Sequence, residues 1–364
     1  MNTETSIRNV SLALALLTAC AAPRPFAATA RMPDGQPNPL SCTPEPVGTG
    51  ALDTILCGLE SPTCSEVEAR LSIPDPLAGL PLKSSDDRPF DFVVVLSVDG
   101  LRPDMISSRT PTFESLKEHA TWAENAFTIH RSTTLPSHAA MLSGVDTDRH
   151  GITFNAYRPG FGSIRFPGIA EVVRRAGMEL GMFVAKYKLI HLIEPSAISA
   201  FHVGGINCER VASQAAPFIV SAATGLAIVH FSETDVAGHR YGWMSPRYRS
   251  AAEKADRCSR VLLTAVSRRS NPERTLMIIT ADHGGHGRRH MSGQDVDRRI
   301  PWMATSSSLK SPDRIRRELS TMDTAATVLG ALGLPLPHGM VGRPVVEVLG
   351  TPQDPNKSAM MLPP

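Results

Sequence analysis

Three short apolar runs punctuate the chain, and an aspartate follows each of them. Phe92–Val98 runs into Asp99, residues 226–231 lead within a few positions to Asp235, and residues 276–281 run into Asp282 with His283 next. Short, β-branched-rich runs without polar alternation read as strands buried on both faces of a parallel sheet. Further runs predict strands over 181–185, 200–203 and 302–305. Helical patterns predict helices over 111–119, 136–142, 168–176, 208–222, 246–266 and 323–332. This alternation predicts an α/β fold, a mostly parallel central sheet with helices on both faces. Ligands of such sheets gather at the carboxyl ends of the strands. Three carboxylates delivered to one edge repel one another unless a cation lies between them, so a metal site of more than one ion is the first expectation.

Composition narrows the field. With 37 Lys and Arg against 35 Asp and Glu the formal net charge is +2, and aromatic residues make up 5% of the chain. Neither a basic surface for nucleic acid nor a stacking platform for single strands is indicated. Many of the 30 prolines crowd into the first eighty-odd residues, which points to a loose segment rather than a second core.

The chain opens as a targeting segment. Arg8 precedes an apolar stretch over 10–17, too short to span a bilayer permanently, and Leu17-Thr18-Ala19-Cys20 is similar to a bacterial lipobox. The expectation is a lipoprotein-type signal over 1–20, a Pro-rich tether and lead-in over 21–88, a catalytic domain over 89–350 and a disordered tail over 351–364. The protein is then exported and tethered through a lipidated Cys20, in the bacterial periplasm or on the outer membrane. Cleavage after Ala28-Thr29-Ala30, giving a secreted soluble protein, is the alternative. An exported compartment permits disulfides. Cys57 with Cys64 and Cys208 with Cys258 are candidate pairs, with Cys42 left over, although spacing alone does not fix pairing.

The segment Arg131-Ser132-Thr133-Thr134-Leu135-Pro136-Ser137-His138 carries the most chemistry. Pro136 suits the first turn of a helix, which places Thr134 at or just before its N-terminus. A threonine there is ordinarily a cap. Free N–H groups at such an end also favour a phosphate, and a hydroxyl beside a metal can act as a nucleophile.

With Val98-Asp99-Gly100-Leu101-Arg102, Thr134-Leu135-Pro136-Ser137-His138, Asp235-Val236-Ala237-Gly238-His239 and Asp282-His283-Gly284 in that order, the chain resembles the alkaline phosphatase superfamily, and within it the type I phosphodiesterase/nucleotide pyrophosphatase branch. The resemblance runs from about Phe90 to Val348. It implies two zinc ions, one held by Asp99, Thr134, Asp282 and His283, the other by Asp235, His239 and one further histidine. His290, which precedes Ile300-Pro301, is favoured for that place, His338 is the runner-up, and His286 is expected to orient a neighbour or to bind nothing. Imidazole and carboxylate without thiolate suit catalytic zinc, while manganese or iron is compatible with the same donors.

The resemblance also implies that Thr134 is the nucleophile of a two-step hydrolysis through a phospho-threonine, and that Asn155 hydrogen-bonds a phosphate oxygen. Lys186 and Lys188, at the end of a strand, are either a solvated edge or contacts to a phosphate dianion. Residues 157–168 and 190–206 are expected to shape the leaving-group pocket. The expected substrate is a small phosphodiester or nucleotide pyrophosphate. A phosphomonoester, a phospholipid-headgroup reaction on the same site, and a non-catalytic metal-binding lipoprotein are the rivals. Oligomeric state is not legible.

Overall fold

A computed structural model describes residues 87–309 and 313–349. The expected signal segment, Cys20, Cys42, Cys57, Cys64, the tail after 350 and nearly all of the tether lie outside the described residues.

The strands are β1 (Phe92–Val98), β2 (Thr121–Ala123), β3 (Ala126–Phe127), β4 (Glu179–Val184), β5 (Ala200–Val203), β6 (Gly225–Phe231), β7 (Thr275–Thr280), β8 (Arg299–Ile300), β9 (Trp302–Thr305), β10 (Arg314–Ile315) and β11 (Leu319–Ser320). The helices are α1 (Pro111–His119), α2 (Thr134–Ser143), α3 (Thr147–His150), α4 (Ile169–Arg175), α5 (Cys208–Ser221), α6 (Glu233–Tyr241), α7 (Pro246–Ser267), α8 (Asp295–Arg298) and α9 (Asp323–Ala331). Eight strands form one sheet in the order β10-β2-β9-β7-β1-β6-β4-β5, and β11-β3-β8 form a second, small one. The large sheet is parallel from β7 through β5, and β9 runs antiparallel between β7 and β2.

Every residue of β1, β6 and β7 is buried, so both faces of the central strands are covered. On α7 the buried positions Tyr248, Ala252, Ala255, Ser259, Leu262 and Ala265 recur at three or four residues, one apolar stripe turned inward. Cys208 at the start of α5 is disulfide-bonded to Cys258 of α7.

The register sets the site. Val98 of β1 lies opposite Phe231 of β6, and Ser97 opposite Thr280 of β7. Three adjacent strands therefore end level, and Asp99, Asp235 and Asp282 leave the sheet at one edge.

Candidate metal centre

The carboxylates converge on buried imidazoles. His283 Nε2 lies 3.4 Å from Asp99 Oδ1, 3.4 Å from Asp282 Oδ2 and 4.0 Å from Asp235 Oδ1. Asp235 and His239 stand one turn apart on α6, with His239 Nε2 at 3.3 Å from Asp235 Oδ1. His290 Nε2 is 3.9 Å from Asp235 Oδ1 and 3.1 Å from His239 Nε2, and its ring stacks on His283 at 3.7 Å. Two donor sets result: Asp99, Asp282 and His283, and Asp235, His283 and His290, with His283 turned to both. His239 adjoins the second.

Two features test whether cations belong here. First, Asp99 Oδ1, Asp235 Oδ1, Asp282 Oδ2 and His283 Nε2 are buried without hydrogen-bond partners. Buried polar atoms are normally paired, and four facing one another call for a positive partner. Second, the Nδ1 atoms of His239, His283 and His290 each face a backbone carbonyl, of Arg288, Gly284 and Ser132 respectively. With Nδ1–H donating there, Nε2 of His283 and of His290 is left facing the carboxylates, the usual arrangement of a metal-bound imidazole, while Asp235 raises the pKa of the more exposed His239. Burial pushes the His290 imidazole down to about 4, keeping it in the neutral form that binds metal. The donor set fits a pair of divalent ions of the zinc type.

One cation is built in. Lys186, expected from sequence at a solvated edge or on a phosphate, instead lies 2.7 Å from Asp99 Oδ2 and 2.6 Å from Asp235 Oδ2. It occupies the outer oxygens and leaves both Oδ1 atoms facing the imidazoles. Burial opposes ionisation of Asp99, but Lys186, His230 and His283 outweigh it and hold the carboxyl well below its ordinary range. Burial and Asp99 oppose ionisation of Asp235, and there His239 and Lys186 prevail, holding it at about 2. One ammonium among three carboxylates leaves an excess of negative charge.

The nucleophile segment is tied to the same cluster. Thr134 is buried at the first position of α2, after Thr133 as N-cap. His138 Nδ1 donates to the Thr134 carbonyl at 2.8 Å and lies 3.5 Å from Asp282 Oδ2, while Ser97 Oγ donates to its Nε2 at 2.9 Å. Asn155 is exposed. Its Oδ1 accepts from Leu135 N at 3.0 Å and from Lys188 Nζ at 2.9 Å, which leaves its amide NH2 as the free donor. Burial, followed by the charge of Lys186, pushes Lys188 down to about 8. Tyr157 and Tyr187 meet at 4.9 Å, and His191 lies 5.1 Å from Tyr157.

Other positions resolve differently. His338, the runner-up, is exposed and belongs to neither donor set among the described residues. His286 Nδ1 pairs with Asp297 Oδ1 at 2.7 Å. Sequence reasoning missed His230, whose Nε2 stands 3.0 Å from Asp99 Oδ2. The only signal was a histidine inside an apolar strand run.

The family model described as type I phosphodiesterase / nucleotide pyrophosphatase matches residues 93–168 and 189–297. These spans contain Asp99, Thr134, Asn155, Asp235, His239, Asp282, His283 and His290, and omit Lys186, Lys188 and His338. Human ectonucleotide pyrophosphatase/phosphodiesterase family member 7 is 23% identical over 233 residues, 57% of this chain and 50% of that protein. A 2,3-bisphosphoglycerate-independent phosphoglycerate mutase of Onchocerca volvulus is 29% identical over 171 residues, 45% of this chain and 29% of that one. The chain thus spans half the length of the first relative and less of the second.

Among solved structures, murine ectonucleotide pyrophosphatase/phosphodiesterase 5 superposes with a TM-score of 0.57 at 14% identity, covering 67% of this chain and 95% of that one. A threonine-to-alanine form of the same murine protein, described as inactive, was solved in complex with AMP. A phosphonate monoester hydrolase from Silicibacter pomeroyi gives 0.55 at 15% identity, covering 72% and 78%. At these identities the likeness is one of fold. The motif order, the converging strand ends and the family match together place this chain in the type I phosphodiesterase/nucleotide pyrophosphatase family of the alkaline phosphatase superfamily.

Proposed function

We propose that this chain is an exported hydrolase of phosphate esters, cleaving phosphodiester or nucleotide pyrophosphate bonds with Thr134 as nucleophile. The observation that carries this is the set of inward-facing, unpartnered donors of Asp99, Asp235, Asp282 and His283 beside a helix that begins with Thr134. Asp99, Asp282 and His283 would hold one divalent ion and Asp235, His239 and His290 the other, zinc by donor chemistry and manganese or iron by compatibility. Such ions neutralise phosphate charge and lower the pKa of an alcohol or a water.

The residues of the chain do the rest. The Thr134 hydroxyl attacks phosphorus, a phospho-threonine forms as the alcohol or phosphate leaves from the opposite side, and water then cleaves it. The Thr134 N–H at the start of α2 orients the phosphate, since Leu135 N–H donates to Asn155, Pro136 has no N–H and Ser137 N–H donates to the Thr133 carbonyl. The Asn155 amide donates to a non-bridging oxygen where charge develops. That a threonine-to-alanine form of the murine neighbour is inactive yet holds AMP supports both the nucleophile and a nucleotide-like ligand.

A phosphomonoesterase is the second reading. It is favoured by Lys188, whose ammonium stands against Asn155 and suits a dianion. Export and a lipid tether at Cys20 rest on the N-terminal sequence, and loss of membrane association in Cys20→Ser would mark the tether.

The test is turnover of bis-p-nitrophenyl phosphate and p-nitrophenyl phosphate by zinc-loaded protein. Faster diester cleavage supports the first reading, faster monoester cleavage the second. Thr134→Ala should retain its ions and lose at least ~10³-fold in rate, the scale on which a lost nucleophile is felt. Near-wild-type turnover in that variant would defeat the assignment.

A further inference from the structure

Trp243 follows α6 and is buried, although it is neither a metal donor nor a substrate contact in the account above. Its indole Nε1–H donates to the Gly100 carbonyl at 3.0 Å, one residue beyond Asp99. Its backbone N–H donates to the Gly287 carbonyl at 2.7 Å. Its ring lies against two glycines so closely that a Cβ on Gly238 would stand 2.6 Å from Cε2, and one on Gly285 only 2.2 Å from the same atom. The ring meets His239 edge-on at 5.1 Å and His290 at 5.8 Å. One rigid side chain thus touches the turn after Asp99, the helix that carries Asp235 and His239, and the loop that carries Asp282, His283 and His290.

We infer that Trp243 is a positioning residue that sets the separation of the two donor sets. The inference rests on the two-ion reading of the site. An indole has few rotatable bonds and a fixed thickness, so it works as a spacer where three segments must keep register. Gly238 and Gly285 are glycines because the ring occupies the space a side chain would need. The Nε1–H bond fixes the ring against the Asp99 turn, so rotation of the indole would shift one donor set relative to the other. Groups that orient metal ligands without touching the ion commonly cost 10–100-fold in metal affinity when removed.

The experiment is calorimetric titration of zinc into ion-free protein. Trp243→Leu should stay folded by circular dichroism and bind one of its two ions about 10–100-fold more weakly. Trp243→Phe, which keeps a ring but loses the donor, should fall between, and it carries the test if the leucine form does not fold. Trp122→Leu is the control: Trp122 is half-buried on β2 beneath Lys117 and Arg314, so its loss should lower the melting temperature and leave both affinities unchanged. Gly285→Ala should weaken binding alone and add little in the Trp243→Leu background, because the clash is with the indole. Two ions bound at wild-type affinity by a folded Trp243 variant, or strictly additive effects with Gly285→Ala, would overturn the inference and leave the metal site standing. A wild-type protein that binds no divalent ion would overturn both.

Discussion

At the scale of single residues, Lys186 is the most exacting case. From sequence it was a lysine at a strand end, and nothing local marks it as the partner of two distant aspartates. Its ammonium compensates Asp99 and Asp235 at 2.7 and 2.6 Å. Removing one partner of a buried ion pair costs about 3–5 kcal/mol because the charge left behind is stranded. Lys186→Met should therefore lower the melting temperature of ion-free protein, and divalent ions should recover part of the loss. An unchanged ion-free melt would show that the lysine does not compensate these carboxylates. His150 offers a second test, away from the donor sets. Burial pushes it down to about 4, and its Nδ1 accepts from Ile152 N, which only the neutral ring can do. Its folded pKa lies below the unfolded value near 6.5, so its contribution is complete above that value and is lost as pH falls toward 4. His150→Asn should flatten the loss of stability between pH 6.5 and 4, and a variant with the same pH slope as wild type would exclude this role.

At the scale of elements, the long ones were legible and the short ones were not. The helices over Pro111–His119 and Pro246–Ser267 match the pattern closely, because a proline marks where each begins, and the strands β1, β5 and β9 match as apolar-rich runs of four to seven residues. The two- and three-residue strands β2, β3, β8, β10 and β11 carry no period of their own and exist through pairing with distant partners. Three residues between Asp235 and His239 suit either one helical turn or a tight loop, and the structure has the nine-residue α6 there. Its first residue, Glu233, accepts from the backbone N–H of Cys208 at 2.6 Å, so α6 leans on the end of α5 that the disulfide fixes to α7. The bridge spans 50 residues of sequence. Chain-entropy reasoning assigns a loop of that size about 4 kcal/mol. The Cys208→Ser/Cys258→Ser pair should unfold at markedly lower urea concentration than wild type, and an unchanged midpoint would place the stabilisation elsewhere.

At the scale of the whole molecule, the edge that carries the donors exists because β7, β1 and β6 lie side by side and end level. Asp99 lies more than a hundred residues before Asp235, and Asp282 follows Asp235 by 47, so their convergence could be argued only from the general behaviour of parallel sheets and from the order of the motifs. What the sequence could not show were the groups that act through others: Lys186, His230, His138 and Trp243. Lys186, His230 and Trp243 are single residues in ordinary runs, His138 closes a motif that gave it no role of its own, and the meaning of each comes from tertiary neighbours. Ions bound to the folded state alone add their binding energy to its stability, so chelation should lower the melting temperature in proportion to ion affinity and restoring zinc should reverse it. The most direct measurement is the zinc stoichiometry of ion-free wild type beside Asp282→Ala and Asp235→Ala. The account predicts two ions per chain for wild type and one for each variant. A wild type that takes up none, or variants that match it, would contradict it.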